Sequence, residues 1–291
     1  MKLTNRMNLP EAIVEAVRND GYTKGDADIS VTQLVAPPQK VALEREYADQ
    51  ITEDASDRIF SLIGQSIHTI LERANRKGVS ERRLSIMVEG WKISGAMDLY
   101  EEDGVLNDYK TTSAWSVKNG IKDEWLAQLN SYAHILRENG HEVRGLRVVA
   151  LLRDWSKMEA ARSPDYPQSQ VAVMPVELWP AQIAAKYVRD RVILHQLARQ
   201  SLPSCTSSER WEKAPVFALM KRGQKKAVKL YDNRAEADSH ASSDPKALYV
   251  QARPGEATRC RFYCAAAKFC PQYQSETGST AEISQKEKIL A

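Results

Sequence analysis

The most informative segment of the sequence is ISGAMDLYEEDGVLNDYKTT, residues 93–112. The turn-forming residues Glu101 to Gly104 separate two β-prone segments, Lys92–Tyr100 and Val105–Thr111. This pattern predicts an antiparallel hairpin, and the preceding segment Leu84–Trp91 predicts a further strand. The centre of the chain is therefore expected to be a three-stranded meander.

The hairpin carries acidic and basic side chains in an arrangement that can support chemistry. Asp108 and Lys110 are two residues apart on one strand, so their side chains leave the same face. If Tyr100 opposes Val105, Asp98 opposes Asn107 and lies close to Asp108. Two neighbouring carboxylates repel each other unless a cation lies between them, and oxygen ligands favour Mg²⁺ or Mn²⁺. A hairpin with solvated acids and a surface lysine remains the alternative.

The segments on either side of the hairpin alternate between helices and strands. Apolar spacing predicts helices at Leu9–Val17, Asp54–Asn75, Lys122–Asn139 and Pro180–Leu202, and strands at Val143–Leu152 and Ser169–Val176. Asp54 or Ser56 is a candidate cap for the second helix, and Gly140 is expected to end the third. The order predicts an α/β fold with a mixed central sheet flanked by helices.

Composition and charge restrict the class of protein. The chain has 291 residues, 43% hydrophobic and 27% charged, which argues against a disordered or fibrous protein. No apolar run is long enough for a membrane span and no secretory signal is visible, so a cytoplasmic protein is expected. The net charge of +3 is uneven, because residues 201–291 hold 15 Lys+Arg and 10 Asp+Glu. We expect a core at residues 1–202, a basic cysteine-containing module at 203–274 and a polar tail at 275–291.

Four short elements together suggest a family. Gly95-x-x-Asp98, followed ten residues later by Asp108-Tyr109-Lys110, resembles the PD-(D/E)XK nuclease superfamily in its RecB-like branch, which includes phage, CRISPR-associated and AddB-like exonucleases. Gly64 to His68 is similar to the G-x-x-x-H element of that branch. Gln128 to Tyr132 matches its Q-x-x-x-Y element. The resemblance covers residues 57–152 and implies a restriction-endonuclease-like core.

The resemblance also implies a site. It places His68, Asp98, Asp108 and the Tyr109 carbonyl around Mg²⁺ or Mn²⁺, with Lys110 acting on the attacking water. Gln128 and Tyr132 share a helix face, where they can hydrogen-bond phosphate or hold Lys110.

The activity implied is that of a metal-dependent DNA exonuclease in recombination, repair or phage DNA processing, giving 5′-phosphate products. The sequence has no G-x-x-x-x-G-K-[ST] motif, so a helicase, or a recombinase or annealing protein, would be a separate partner. The alternatives are a CRISPR-adaptation-type nuclease that trims DNA ends, an endonuclease, or a non-catalytic DNA-binding module on a degenerate nuclease fold.

The cysteines are confined to the last third of the chain, at Cys205, Cys260, Cys264 and Cys270. The last three resemble the downstream trio that holds an iron–sulfur cluster in several RecB-like nucleases. The first gap is one residue longer than usual, and residues 31–46 lack the upstream cysteine, so Cys205 would be the fourth ligand. A [4Fe–4S] cluster is favoured, and structural Zn²⁺ or unligated thiols remain alternatives.

The C-terminal segment also carries a basic stretch without acids. Its cations are Lys221, Arg222, Lys225, Lys226 and Lys229. They suit contacts with DNA phosphates that are independent of base sequence, although a charged stretch is often only a solvent-exposed face. Aromatic residues lie nearby at Trp211, Phe217, Tyr231, Tyr249, Phe262 and Tyr263. Some of these could stack on single-strand bases, while most are expected to pack inside the module.

Overall fold

The computed structural model describes residues 2–19, 24–74 and 83–277. The chain forms two compact units, Met1–Pro203 and Ser204–Ala291. Two predictions fall partly outside the described residues: the end of the second predicted helix at Asn75, and residues 278–291 of the predicted polar tail. None of the described helices has the length and apolar character needed to cross a membrane.

The first unit is a mixed α/β structure. Its helices are α1 Glu11–Arg18, α2 Val31–Val35, α3 Pro38–Glu46, α4 Ile59–Ala74, α5 Ala114–Lys118, α6 Asp123–Glu138, α7 Lys157–Arg162 and α8 Ala181–Leu197. Its strands are β1 Lys2–Thr4, β2 Ile29–Ser30, β3 Thr52–Asp54, β4 Arg83–Val88, β5 Trp91–Ala96, β6 Leu99–Tyr100, β7 Val105–Thr112, β8 Gly145–Leu152 and β9 Val171–Val176. The predicted α/β class is confirmed.

The central strands are divided between two sheets rather than forming one meander. One sheet has the order β2-β5-β4, and the other has the order β6-β7-β8-β9. The single strand expected at Lys92–Tyr100 is wrong, because β5 ends at Ala96 and β6 begins at Leu99 in the other sheet. β7 pairs with β8 in parallel and β8 pairs with β9 antiparallel, so the second sheet is mixed.

The hairpin of β6 and β7 has a three-residue loop. The Glu101 amide donates to the Val105 carbonyl at 2.9 Å, and Gly104 adopts a φ of 84°. Three-residue hairpin loops commonly place glycine in this left-handed conformation. The predicted pairing of Tyr100 with Val105 is wrong by one residue, since Tyr100 pairs with Leu106 and Leu99 with Asn107.

The core of this unit lies between the sheets and helix α6. Leu129, Ile135 and Leu136 of α6 are almost completely buried in the same cluster as Leu106 of β7 and Val148 of β8. α6 connects two parallel strands, which is the usual crossover between such strands. This packing fixes the face that α6 turns toward β7.

Helix boundaries follow local signals. Asp54 accepts a hydrogen bond from the Ser56 amide and caps a short 3-10 turn, Ala55–Arg58, that precedes α4. Gly140, with a φ of 82°, follows the end of α6 as expected. The last predicted helix is shorter than expected and ends at Leu197.

The second unit contains regular structure that the sequence reading missed. Its elements are β10 Glu212–Lys213, β11 Val216–Lys221, β12 Ala227–Tyr231, α9 Arg234–Ala241, β13 Leu248–Arg253, β14 Glu256–Ala257, α10 Thr258–Phe262 and a helical segment at 271–277. β12, β11 and β13 form an antiparallel sheet, and α9 contributes Ala237 to its small core. No strand was predicted in this module from the sequence, although Val216–Lys221 is largely apolar and pairs on both sides.

Candidate active site

Asp98 directly precedes β6 and Asp108 lies in β7, and the two carboxylates are close enough to interact electrostatically. Continuing the register of Leu99 with Asn107 by one residue places Asp98 opposite Asp108. The simplest register would have placed Asp98 opposite Asn107; the three-residue loop shifts it by one residue, in the direction that brings the two acids closer. Both carboxylates are shielded from solvent, with 12% of the Asp98 side chain and 5% of the Asp108 side chain exposed.

The Asp98 carboxylate is held from two sides. Its Oδ2 accepts a hydrogen bond of 2.6 Å from the Tyr109 amide, and its Oδ1 lies 3.2 Å from His68 Nδ1. N–H and C=O of one residue in a strand point toward the same neighbour, so the Tyr109 carbonyl also faces the Asp98 side. α4 thus supplies the histidine, and β7 supplies a backbone carbonyl beside the same acid.

Lys110 connects the acids to α6. Its Nζ lies 2.7 Å from Asp108 Oδ2 and donates to Gln128 Oε1 at 3.0 Å. Gln128 in turn donates through Nε2 to the Tyr132 hydroxyl at 3.2 Å. Of the two roles open to Gln128, these contacts show it holding the lysine, and they fix the lysine beside the carboxylates.

Burial makes Asp108 an unusual acid. Burial raises the pKa of Asp108 to about 6, while the Lys110 ammonium opposes this rise and the Asp98 carboxylate adds to it. Asp108 Oδ2 lies 2.7 Å from Lys110 Nζ, and this close contact offsets part of the cost of burying the carboxylate. A buried carboxylate oxygen in this state is stabilised by any cation that can reach it.

The donor chemistry of this site suits a hard divalent cation. Asp98, Asp108 and the Tyr109 carbonyl offer oxygen, and His68 offers nitrogen, which are ligands that Mg²⁺ or Mn²⁺ accepts. Within residues 2–19, 24–74 and 83–277, no three His, Cys, Asp or Glu side chains converge closely enough to hold a metal ion. The fit therefore rests on the chemistry of these donors and on the burial of Asp108.

Gly95 has a packing role that the spacing of the sequence did not reveal. A Cβ atom at this position would lie 2.7 Å from two ring carbons of Tyr132 and 3.2 Å from Val31 Cγ2. Tyr132 is buried, and its hydroxyl accepts the hydrogen bond from Gln128. Gly95 therefore allows the ring that ends the lysine–glutamine chain to pack against β5.

The four cysteines all belong to the second unit. Cys270 is buried and the other three are half-buried. Burial raises the pKa of the Cys205 thiol to about 12, and Glu209 and the other three cysteines add to the effect. The Gln272 side chain holds the Cys205 backbone, accepting from its amide at 2.8 Å and donating to its carbonyl at 3.0 Å. Cys205 therefore senses the other three thiols electrostatically, although no three of these side chains converge closely enough in the described part of the chain to hold a metal ion.

The basic stretch of the second unit forms a hairpin. Lys221 ends β11, Lys229 lies in β12, and Arg222, Lys225 and Lys226 occupy the connection between the strands, where all five side chains are exposed. Lys229 lies 4.7 Å from the ring centre of Tyr231, and Arg222 lies 5.8 Å from that of Tyr249. The structure places these five cations on one exposed β-ribbon.

Fold and site together define a mixed α/β protein with a buried carboxylate pair and a fixed lysine. No protein-family model matches the chain, and no curated protein does. Among solved structures, it is similar to the crystal structure of SSO0001, with 19% identity and a TM-score of 0.45, over 63% of this chain and 84% of that one. It is also similar to a protein from Eubacterium rectale named "Putative exonuclease", with 15% identity and a TM-score of 0.32, over 48% of this chain and 54% of that one.

Proposed function

We propose that this protein is a metal-dependent deoxyribonuclease that hydrolyses phosphodiester bonds as a RecB-like exonuclease. The observation that carries the proposal is the convergence of Asp98, Asp108 and Lys110 at one end of the β6–β7 hairpin. Facing carboxylates bind a divalent cation, and a lysine beside them can direct water or stabilise negative charge on phosphate.

The residues that would hold Mg²⁺ or Mn²⁺ are Asp98, Asp108, His68 and the Tyr109 carbonyl. When bound, such a cation polarises a phosphodiester and lowers the pKa of a water molecule. The Tyr109 amide and His68 fix Asp98 in one orientation before any cation arrives. That preorganisation lowers the cost of gathering the ligands.

Lys110 would orient the attacking water and stabilise the charge that develops on the phosphate oxygens. The Gln128 amide accepts from its Nζ and so limits the positions that this flexible side chain can take. Tyr132 fixes Gln128 in turn. The helix α6 thereby acts as a support for the lysine rather than as a direct phosphate contact.

The decisive experiment uses end-labelled linear DNA and closed circular DNA of the same sequence, with Mn²⁺ and then with EDTA. We expect degradation of the linear substrate with Mn²⁺ and none with EDTA. Asp108→Ala and Lys110→Ala are expected to abolish it. Glu102→Gln is the matched control, because Glu102 is an exposed acid in the loop of the same hairpin and should be dispensable.

The outcomes separate the alternatives. Absence of degradation by the wild-type protein, or equal activity of the Asp108 and Lys110 variants, would refute the nuclease proposal and leave a DNA-binding module. Cutting of the circular substrate would replace the exonuclease assignment with an endonuclease. Removal of only a few nucleotides from DNA ends would favour a CRISPR-adaptation-type trimming role.

For the four cysteines we propose a [4Fe–4S] cluster, with Zn²⁺ as the alternative. The support is that four thiols in one unit match the ligand set of either group. A brown wild-type protein whose absorbance at about 400 nm is lost in Cys264→Ser would support the cluster. A colourless protein with stoichiometric zinc would overturn it. We further propose that DNA is the partner, with a helicase or a recombinase or annealing protein as a separate chain.

A further inference from the structure

Three aromatic side chains form an exposed cluster in the second unit, which we call the aromatic platform: Trp211, Phe262 and Tyr263. Tyr263 contacts Trp211 edge-on with ring centres 5.3 Å apart, and it contacts Phe262 edge-on at 6.5 Å. Their exposed fractions are 40% for Trp211, 60% for Phe262 and 65% for Tyr263. Adjacent aromatic rings left this open to solvent commonly mark a binding surface.

The platform is built by backbone pairing. β10 and β14 are antiparallel partners, with Glu212 opposite Ala257, which places Trp211 beside the start of α10. Trp211 has a φ of 50°, a conformation that is strained for a bulky residue. The Arg259 amide also donates to the Arg210 carbonyl at 3.0 Å. A strained tryptophan fixed in an exposed position is typical of a functional surface.

Arginine side chains complete the cluster. The guanidinium of Arg259 lies 4.1 Å from the ring centre of Trp211, and that of Arg261 lies 5.0 Å from the ring centre of Phe262. Arg261 also forms an ion pair of 2.8 Å with Glu256, which lies outside α10. Residues 257–271 contain three cations, Arg259, Arg261 and Lys268, and no acid. The segment that carries two of the three rings is therefore positively charged, while the segment that carries Trp211 also holds Glu209 and Glu212.

We propose that the aromatic platform stacks on the unpaired bases of single-stranded DNA. Aromatic faces next to cations are what a flexible polyanion with exposed base rings requires, whereas the stacked bases of a duplex are closed to them. The choice of DNA rests on the proposed function, which this inference deepens by naming a single-stranded region as the form that is bound. The cations that would meet the phosphates are Arg259 and Arg261, which lie against the rings themselves.

The test measures binding of the full-length protein to fluorescein-labelled 20-mers by anisotropy, in EDTA and in an Asp108→Asn background that prevents cleavage. One ligand is oligo-dT and the other is an abasic strand of the same length and charge. We expect oligo-dT to bind about tenfold more tightly than the abasic strand, since one stacked base contributes roughly this factor. Equal affinity for the two strands would overturn the proposal.

The variants separate stacking from simple apolar contact. Phe262→Leu with Tyr263→Leu keeps two large apolar side chains but removes the π faces, and it should lower oligo-dT affinity about tenfold without changing abasic binding. Phe262→Tyr with Tyr263→Phe should retain the wild-type affinity. Leu230→Ala is the control for an exposed apolar residue elsewhere in the same unit, where Leu230 is 52% exposed.

Two results would refute the assignment while leaving the nuclease proposal intact. One is an unchanged ratio of oligo-dT to abasic affinity in the double-leucine variant. The other is a wild-type dimer that becomes monomeric in that variant, which would identify a second copy of the chain as the occupant. Asp108-dependent degradation of DNA is measured separately and does not depend on either result.

Discussion

Replacement of Asp108 by asparagine should make the protein more stable while it removes activity. Asp108 is 3% exposed, and its neighbours include the Asp98 carboxylate. Asparagine keeps the size of the side chain and abolishes the charge. Because burial is the largest cause of the raised pKa, the neutral amide should be better tolerated than the carboxylate at neutral pH.

The magnitude follows from the pKa. A rise from 3.8 to about 6 corresponds to about 3 kcal/mol of unfavourable ionisation above pH 6. Because Lys110 loses its ion pair in the variant, part of this amount is offset, and we expect a net increase of about 1–3 kcal/mol in the free energy of unfolding at pH 7.5. Between pH 4 and 6 the folded wild-type protein binds more protons than the unfolded chain, and its stability falls as pH rises through this range. The variant lacks this loss, so the two should converge near pH 4.

The assay is thermal and urea unfolding of both proteins from pH 4 to 8, following the transition of the first unit. A gain of 1–3 kcal/mol corresponds to a midpoint increase of roughly 2–10 °C. Mn²⁺ should raise the midpoint of the wild-type protein and leave Asp108→Asn unchanged. An asparagine variant that is less stable at pH 7.5, or Mn²⁺ stabilisation that is equal in the two proteins, would refute the reasoning.

Three further outcomes are expected. Gly95→Ala should destabilise the first unit by about 1–3 kcal/mol in urea unfolding, because the new methyl group overlaps the ring of Tyr132. Gly64→Ala should instead stabilise this unit by up to about 1 kcal/mol, because open space surrounds this position in α4. Gln128→Leu should lower nuclease activity about 10–100-fold by releasing Lys110, and Gln128→Glu should retain most of the activity because it keeps a hydrogen-bond acceptor. An equal loss of activity in both variants would argue against a role of Gln128 in positioning Lys110. Asp54 accepts hydrogen bonds from the Arg6 amide and from hydroxyl donors, and these bonds hold the pKa of Asp54 well below its usual range. The stability of the folded protein should therefore fall as pH drops below about 4, and Asp54→Asn should weaken this pH dependence in acid unfolding.

Much of the fold was readable from local patterns. The apolar spacing of α6, the glycine that follows it and the strands β7 and β8 occur close to the positions predicted from periodicity. Local signals succeeded here because these elements lie at the centre of the core, where one face must be apolar. In the second unit each strand is short and its apolar face is narrow, so the sheet of β11, β12 and β13 left only a weak trace in the sequence.

The site was readable only in part. The spacing of Asp108 and Lys110 on one strand sufficed to predict a shared face, because side chains alternate along any strand. The length of the hairpin loop decided which residue Asp98 opposes, and a single residue of slip changes that partner.

Local patterns were enough to predict the α/β class, the principal helices and the set of side chains available for chemistry. Which of these side chains meet depends on tertiary packing: His68 comes from a helix 30 residues before Asp98, and Gln128 comes from a helix 18 residues after Lys110. Contacts between distant segments depend on how sheets and helices pack, which no local pattern specifies. The same holds for the aromatic platform, where β10 and β14 bring Trp211 to Tyr263 across 52 residues of chain.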